Sequence, residues 1–241
     1  MKSLFGKARA VFPILALCSV AQSGTSVSAD NQSDPARVIS FIEVRHVEAE
    51  RARTLLQNYA RALRHGTSVH VEVAEEIGRP QRFVMLETAP RVDELTHAEA
   101  GAQAILAPLN EWLIAPPDRR AHGDFGAEPA MAEHPTTGAH ARGNPPPLYV
   151  ISHLDLVAPN QARGEQALRE LADRARQSPG NVRFLIWQQA NRPNHFNLVS
   201  VWDSEAQFNT FADGEAGRAF RSSITGITGS PYDERLYRGM D

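Results

Sequence analysis

The sequence predicts an α+β fold built from two βαββαβ repeats, and three observations carry that reading. The first is a self-match. Arg79-Pro80-Gln81-Arg82-Phe83-Val84-Met85-Leu86 aligns with Arg192-Pro193-Asn194-His195-Phe196-Asn197-Leu198-Val199, and the register extends from residues 38–43 against 150–155 to residues 116–120 against 231–235. A repeat of this size is too long for a solenoid unit and suits a small duplicated domain. The second is hydrophobic period, which switches between helix-like and strand-like in the same order in both copies. The third is an aperiodic stretch between them, residues 123–147, rich in Pro, Gly, Ala and Thr.

The first copy spans residues 37–122. Residues 38–44 are apolar enough for a buried strand. Over residues 47–64, Ala52, Leu55, Leu56, Tyr59 and Leu63 recur at helical spacing and give one apolar face. Val69, Val71 and Val73 alternate with His70, Glu72 and Ala74, the period of a strand. Gly78-Arg79-Pro80 supplies a turn into a second strand at 83–88. A helix follows over 92–113, which Pro108 should kink or split. The second copy, residues 148–239, repeats the order: strand 148–156, helix 161–176, strands 182–189 and 195–202, helix 205–222, and a short terminal strand at 235–238. Such a pattern places helices on one face of an antiparallel sheet.

Residues 123–147 read as a linker, stiff at Pro145-Pro146-Pro147. A flexible coil of this length spans roughly 25–30 Å, enough to let the two copies meet. His122, His134 and His140 lie in or beside it at spacings that fit no rigid ligand set, so no metal is expected there.

Residues 1–29 read as a cleaved export signal. Lys2, Lys7 and Arg9 precede a short apolar run, and Val27-Ser28-Ala29 has the small-x-small pattern of a cleavage site. The run is too short for a comfortable membrane span, so an exported, periplasmic or secreted protein with no stable span after cleavage is expected. Cys18 is the one cysteine and lies within this segment, so disulfides and thiolate chemistry fall outside the mature chain. The chain has 42% apolar residues and a formal net charge of -3, and no basic cluster remains beyond the leader, which weighs against nucleic acid as a partner. Gly-rich phosphate loops, Gly-x-Ser-x-Gly and His-Glu-x-x-His are also missing from the sequence.

The second copy resembles the antibiotic biosynthesis monooxygenase family of dimeric α+β barrel proteins. The residues that carry the likeness are Arg192-Pro193-Asn194-His195-Phe196, Val201-Trp202, Phe208, Ala219-Phe220-Arg221 and Ser230-Pro231-Tyr232-Asp233-Glu234-Arg235-Leu236-Tyr237. The first copy resembles the family weakly, through its match to the second. The resemblance implies two ferredoxin-like units whose sheets pair face to face, with a pocket between each sheet and its helices. It leaves open an intrachain pseudo-dimer or a homodimer. It also implies oxidation of a small electron-rich aromatic (a phenol, anthrone or quinol) by O₂ without a cofactor. The alternative is a non-catalytic periplasmic binding or stress-related protein on the same fold, and beyond that a haem-binding relative.

Candidate site residues follow from both readings. Trp202 is by pattern a strand-end core residue, and the resemblance implies that it lines the pocket. The family often has a histidine about nine or ten residues after that tryptophan; here Phe211 stands in the place, which counts against haem ligation. The counterpart of Trp202 in the first copy is Ala89. His195 belongs to the Asn-His-Phe signature, yet regular pleating turns it away from Trp202. His153 shares a strand face with Tyr149 and Ile151, where an imidazole could act as a base. Asn194 and Asn197 could hold a phenol or oxyanion, and Asn194 could equally cap the turn after Pro193. Tyr232, Asp233 and Arg235 read as structural, since Asp118 and Arg120 match two of them in the first copy.

Overall fold

The computed structural model describes residues 35–125 and 146–240. Residues 1–29, expected to be an export signal, with Cys18, and most of the expected linker, with His134 and His140, lie outside the described residues. Each half has the expected order. The first comprises β1 (Ala36–Glu43), α1 (Ala49–Arg64), β2 (His70–Glu76), β3 (Arg82–Ala89), α2 (Val92–Leu106), α3 (Leu109–Trp112) and β4 (Asp118–Asp124). The second comprises β5 (Leu148–Asp155), α4 (Gln161–Arg176), β6 (Asn181–Gln189), β7 (His195–Trp202), α5 (Glu205–Ala212), α6 (Glu215–Ile224) and β8 (Asp233–Met240). No helix among the described residues is long and apolar enough to cross a membrane.

Local chemistry sets these limits. The periodic face of α1 is the buried one, with Ala52, Leu56, Tyr59 and Leu63 all inside. α2 stops at Leu106, and Pro108 starts the single turn of α3, since proline cannot donate to a continuing helix. The helix expected over 205–222 is two helices. Ser204 caps α5 by accepting from the Gln207 N–H, and Gly214 leaves the helical conformation with ψ near 180° to start α6. The terminal strand is longer than its sequence pattern suggested, because β8 has neighbours on both sides.

Those neighbours close the molecule. The strands run β1-β3-β2-β8-β5-β7-β6-β4 around a closed barrel. β8 pairs antiparallel with β5 of its own half and with β2 of the other. β4 likewise pairs with β1 and with β6. Each half thus lends its last strand to the other half's sheet, which removes free edges and makes one chain its own dimer.

Pleating then sorts side chains into three cores. One lies between the first sheet and α1–α3, and one between the second sheet and α4–α6. The third fills the barrel with Ile39, Val84, Leu86, Tyr149, Ile151, Trp187, Val199 and Tyr237. One buried ion pair inside the barrel joins the two halves. Arg183 Nη2 lies 2.6 Å from Glu72 Oε2, and the Tyr149 hydroxyl donates to Glu72 Oε1 at 3.2 Å. Burial alone would push the Glu72 carboxyl up; Arg183 and His70 beside it outweigh that and hold it below the ordinary range.

Candidate active site

On β5 and β7, alternate residues serve different cores. Val150, Ser152 and Leu154 with Phe196, Leu198, Ser200 and Trp202 face the helices. Tyr149, Ile151 and His153 with His195, Asn197 and Val199 face the barrel interior. The sequence-derived candidates therefore divide between two sides of one sheet: Trp202 and Phe211 on the helix side, His153, His195, Asn197 and Tyr149 within the barrel. The structure does not bring His153 or His195 to Trp202.

The helix side holds a cavity of about 30 Å³ between the sheet and α4–α6. Its polar groups are Ser152 on β5, Ser200 on β7, Arg221 on α6, and Tyr232 and Glu234 at the start of β8. Its apolar wall includes Phe208, Phe211 and Phe220. Trp202 sits directly behind this lining. Its indole is fully buried, and Nε1 donates to Ser200 Oγ at 3.0 Å. Phe211 packs on the Trp202 ring with centroids 5.1 Å apart, and Phe208 lies edge-on at 5.9 Å. Trp202 thus acts on the cavity through Ser200 and Phe211.

At the rim, the Tyr232 hydroxyl donates to Glu234 Oε2 at 3.1 Å. Phe220 meets the Tyr232 ring edge-on at 5.8 Å. Glu234 keeps a solvent-exposed side, while protein crowded around its carboxyl pushes its pKa above the usual carboxylate value against the pull of Tyr232, Arg221 and Ser152. Burial and the Glu234 charge push the Tyr232 phenol up as well, so it stays protonated and donates. Arg221 Nη2 donates to the Ala212 carbonyl at 2.7 Å and ties α6 to the end of α5. A proton acceptor, two hydroxyls and a phenol therefore meet an apolar aromatic wall, a lining that would orient the polar end of a small molecule, in a cavity that as it stands has room only for water.

The equivalent place in the first half is plugged. Glu87 occupies the position of Ser200, Arg119 that of Glu234, and Tyr59 that of Leu171. Arg119 Nη1 lies 2.7 Å from Glu87 Oε2, Tyr59 donates to Glu87 Oε1 at 3.1 Å, and Arg119 also pairs with Glu99. Glu87 is wholly buried, and that burial pushes its carboxyl up despite Arg119. With Ala89 in place of Trp202, this half carries an ion network where the other carries a cavity.

The barrel-side candidates form a separate cluster. Asn197 is wholly buried, with Nδ2 2.7 Å from His122 Nε2. Burial lowers His122 to about 4, so it is neutral at ordinary pH. His153 and His195 have ring centroids 5.4 Å apart, and His195 Nε2 lies 3.4 Å from Asp155 Oδ1. Burial, with Arg120 and His195 nearby, lowers His153. Tyr149 is committed to Glu72. Asn194 Nδ2 donates to Asp155 Oδ1 and to the Leu156 carbonyl, each at 3.0 Å, fastening the β6–β7 turn to the end of β5. Arg235 pairs with Asp233 at 2.6 Å, and Arg120 with Asp118 at 2.5 Å, so the repeated Asp-x-Arg makes the same ion pair within each lent strand.

Sequence reasoning missed Ser152, Ser200, Arg221 and Glu234, and gave Tyr232 only a structural role. A usable signal existed in the repeat itself: Ser200 against Glu87 and Glu234 against Arg119 are changes of charge at positions that regular pleating places on the Trp202 side.

Residues 147–223 match the family model described as antibiotic biosynthesis monooxygenase. No curated protein matches the sequence. A protein from Fusobacterium nucleatum subsp. nucleatum, provisionally named a monooxygenase, superposes with a TM-score of 0.72 at 8% identity, covering 87% of this chain and 94% of that one. A second protein of that provisional name, from Lactobacillus acidophilus, gives 0.66 at 9% identity, covering 86% and 95%. An anthrone oxidase-like protein gives 0.61 at 12%, covering 88% and 93%. At these identities the likeness is one of fold, and it spans both halves. The second half of this chain thus resembles an antibiotic biosynthesis monooxygenase domain over residues 147–223, and the whole chain has the α+β barrel architecture of these structures.

Proposed function

We propose that this protein is an exported, cofactor-independent monooxygenase, and that the helix-side cavity of the second half is where it oxidises a small electron-rich aromatic with O₂. The observation that carries this reading is the Glu234 carboxyl, held with Tyr232 against Ser152 and Ser200 at the polar end of an aromatic-walled cavity. Export rests on the leader at residues 1–29. The anthrone oxidase-like relative and the provisional monooxygenase names of the others agree with the chemistry proposed.

In this reading Glu234 accepts the phenolic or enolic proton, and its raised pKa makes it a better base than a free carboxylate. Tyr232, protonated, donates to the substrate oxygen. The deprotonated ring passes one electron to O₂, the two radicals combine at carbon, and the resulting hydroperoxide loses water. A CH₂ group becomes C=O, one oxygen atom enters the product, the other leaves as water, and Glu234 returns its proton. Phe208, Phe211, Phe220 and Trp202 close the apolar side of the site to water, limiting escape of superoxide.

A second reading is supported by the aromatic filling of the cavity: a binding protein that keeps the barrel without turnover. Oxygen uptake with anthrone separates the two. A rate above buffer that falls at least tenfold in Glu234→Gln, with an acid limb near the Glu234 pKa, supports the enzyme; a rate equal to buffer at every pH leaves the binding protein.

A further inference from the structure

The inner cavity of about 30 Å³ has room for one or two waters and none for an aromatic ring, since a cavity that takes up benzene measures about 150 Å³. A second cavity lies on the other side of Phe211. It measures about 280 Å³, large enough for rings, and is walled by Pro179, Phe211 and Ala216 with Gln207, Thr210 and Glu215 about it. Phe211 lines both. With the ring displaced, the two reach the lower end of the roughly 300–1,000 Å³ range of ligand sites.

We infer that Phe211 is a door between an outer cavity and the inner polar one, and that the substrate spans both as a fused aromatic of at least two rings with its hydroxyl inward. This inference rests on the reading of the inner cavity as the reacting site. Phe211 is suited to moving. It is half-buried, it stands in the last turn of an eight-residue helix whose one buried residue is Phe208, and Gly214 breaks the chain into α6 just beyond it. Its packing partner is the Trp202 ring, a face that an incoming fused aromatic replaces in kind. The two ends differ in chemistry, which sets orientation. The inner end offers Tyr232 and Glu234 to a hydroxyl, whereas the outer cavity presents Pro179, Phe211 and Ala216 to the far ring, with Glu215 at its edge 3.7 Å from Arg174. Naphthols and anthrones fit this arrangement.

The test is the association rate of 2-naphthol, followed by stopped-flow fluorescence without oxygen on the full chain. Phe211→Ala should raise the rate at least tenfold by removing the door. Ala216→Trp, which fills the outer cavity and leaves the inner lining intact, should lower it at least tenfold. Phe211→Leu provides a milder opening should the alanine variant unfold, with far-UV circular dichroism as the check. Ser200→Leu, which fills the inner cavity, should abolish binding in both backgrounds. If Phe211→Ala and Ala216→Trp stay within twofold of wild type while Ser200→Leu still blocks, the door is refuted and the inner site stands. If Ser200→Leu also has no effect, or 2-naphthol binds neither wild type nor Phe211→Ala, the inner-site reading fails and the door with it.

Discussion

Replacing Arg183 by methionine removes the cation that joins the two halves inside the barrel. It leaves the Glu72 carboxylate, whose side chain is 7% exposed, with the Tyr149 hydroxyl and His70 as its remaining partners. Breaking a buried pair by removing one member costs about 3–5 kcal/mol, because the surviving charge stays desolvated. Two retained partners put the expected loss at the lower end, about 3 kcal/mol, a large share of a typical folding stability of about 5–15 kcal/mol. Urea unfolding reports it as a midpoint lowered by about 1 M, taking an m-value of about 2–3 kcal/mol/M for a chain of this size. Adding Glu72→Gln should restore most of the loss, since a neutral amide has no charge to strand. The deficit of the single variant should also shrink in acid, as the carboxyl that Arg183 no longer holds low takes up a proton. A loss under about 0.5 kcal/mol, or a double variant no better than the single one, would refute the view that this pair couples the halves.

Two further predictions concern stability. The His122 imidazole protonates near its ordinary value when unfolded but only at about 4 when folded, so the unfolded state binds more protons between those values. Stability from this group is whole above pH 6.5 and falls as pH drops towards 4; at pH 4.5 wild type should lose about 2–3 kcal/mol more than His122→Gln, read from paired urea titrations. Gly217→Ala should destabilise by about 1–3 kcal/mol in thermal melts, because its Cβ would sit inside contact distance of the Ala212 carbonyl. Gly101→Ala, on open helix surface in α2, should instead stabilise by about 1 kcal/mol, and equal effects at the two sites would contradict the packing described for the α5–α6 corner.

The repeat was legible because β1, β3, β5 and β7 bury both faces and so keep their apolar pattern in both copies. Barrel closure within one chain was less so: β4, with Asp118, Arg119, Arg120 and Asp124, carries little apolar pattern and is a strand because β1 and β6 flank it. The break at Gly214 was masked by apolar residues at helical spacing on both sides. The site was the hardest to read. In a half-exposed sheet, a polar residue in a strand marks the wet face; here both faces are covered, so Ser152 and Ser200 look like ordinary alternation. The alternation did place His195 opposite to Trp202 and His153 beside Tyr149 and Ile151. Only the depth of the two sides, invisible in sequence, shows that one side has a cavity lined by Glu234 and the other a packed interior around Asn197.

The most direct test of the proposed activity is transfer of oxygen-18 from labelled O₂ into product, using purified chain and anthrone with mass-spectrometric detection. The account predicts one labelled oxygen atom per product at a rate above autoxidation, reduced at least tenfold in Glu234→Gln and in Trp202→Ala. Label incorporation no faster than in buffer, or equal in wild type and both variants, would contradict it.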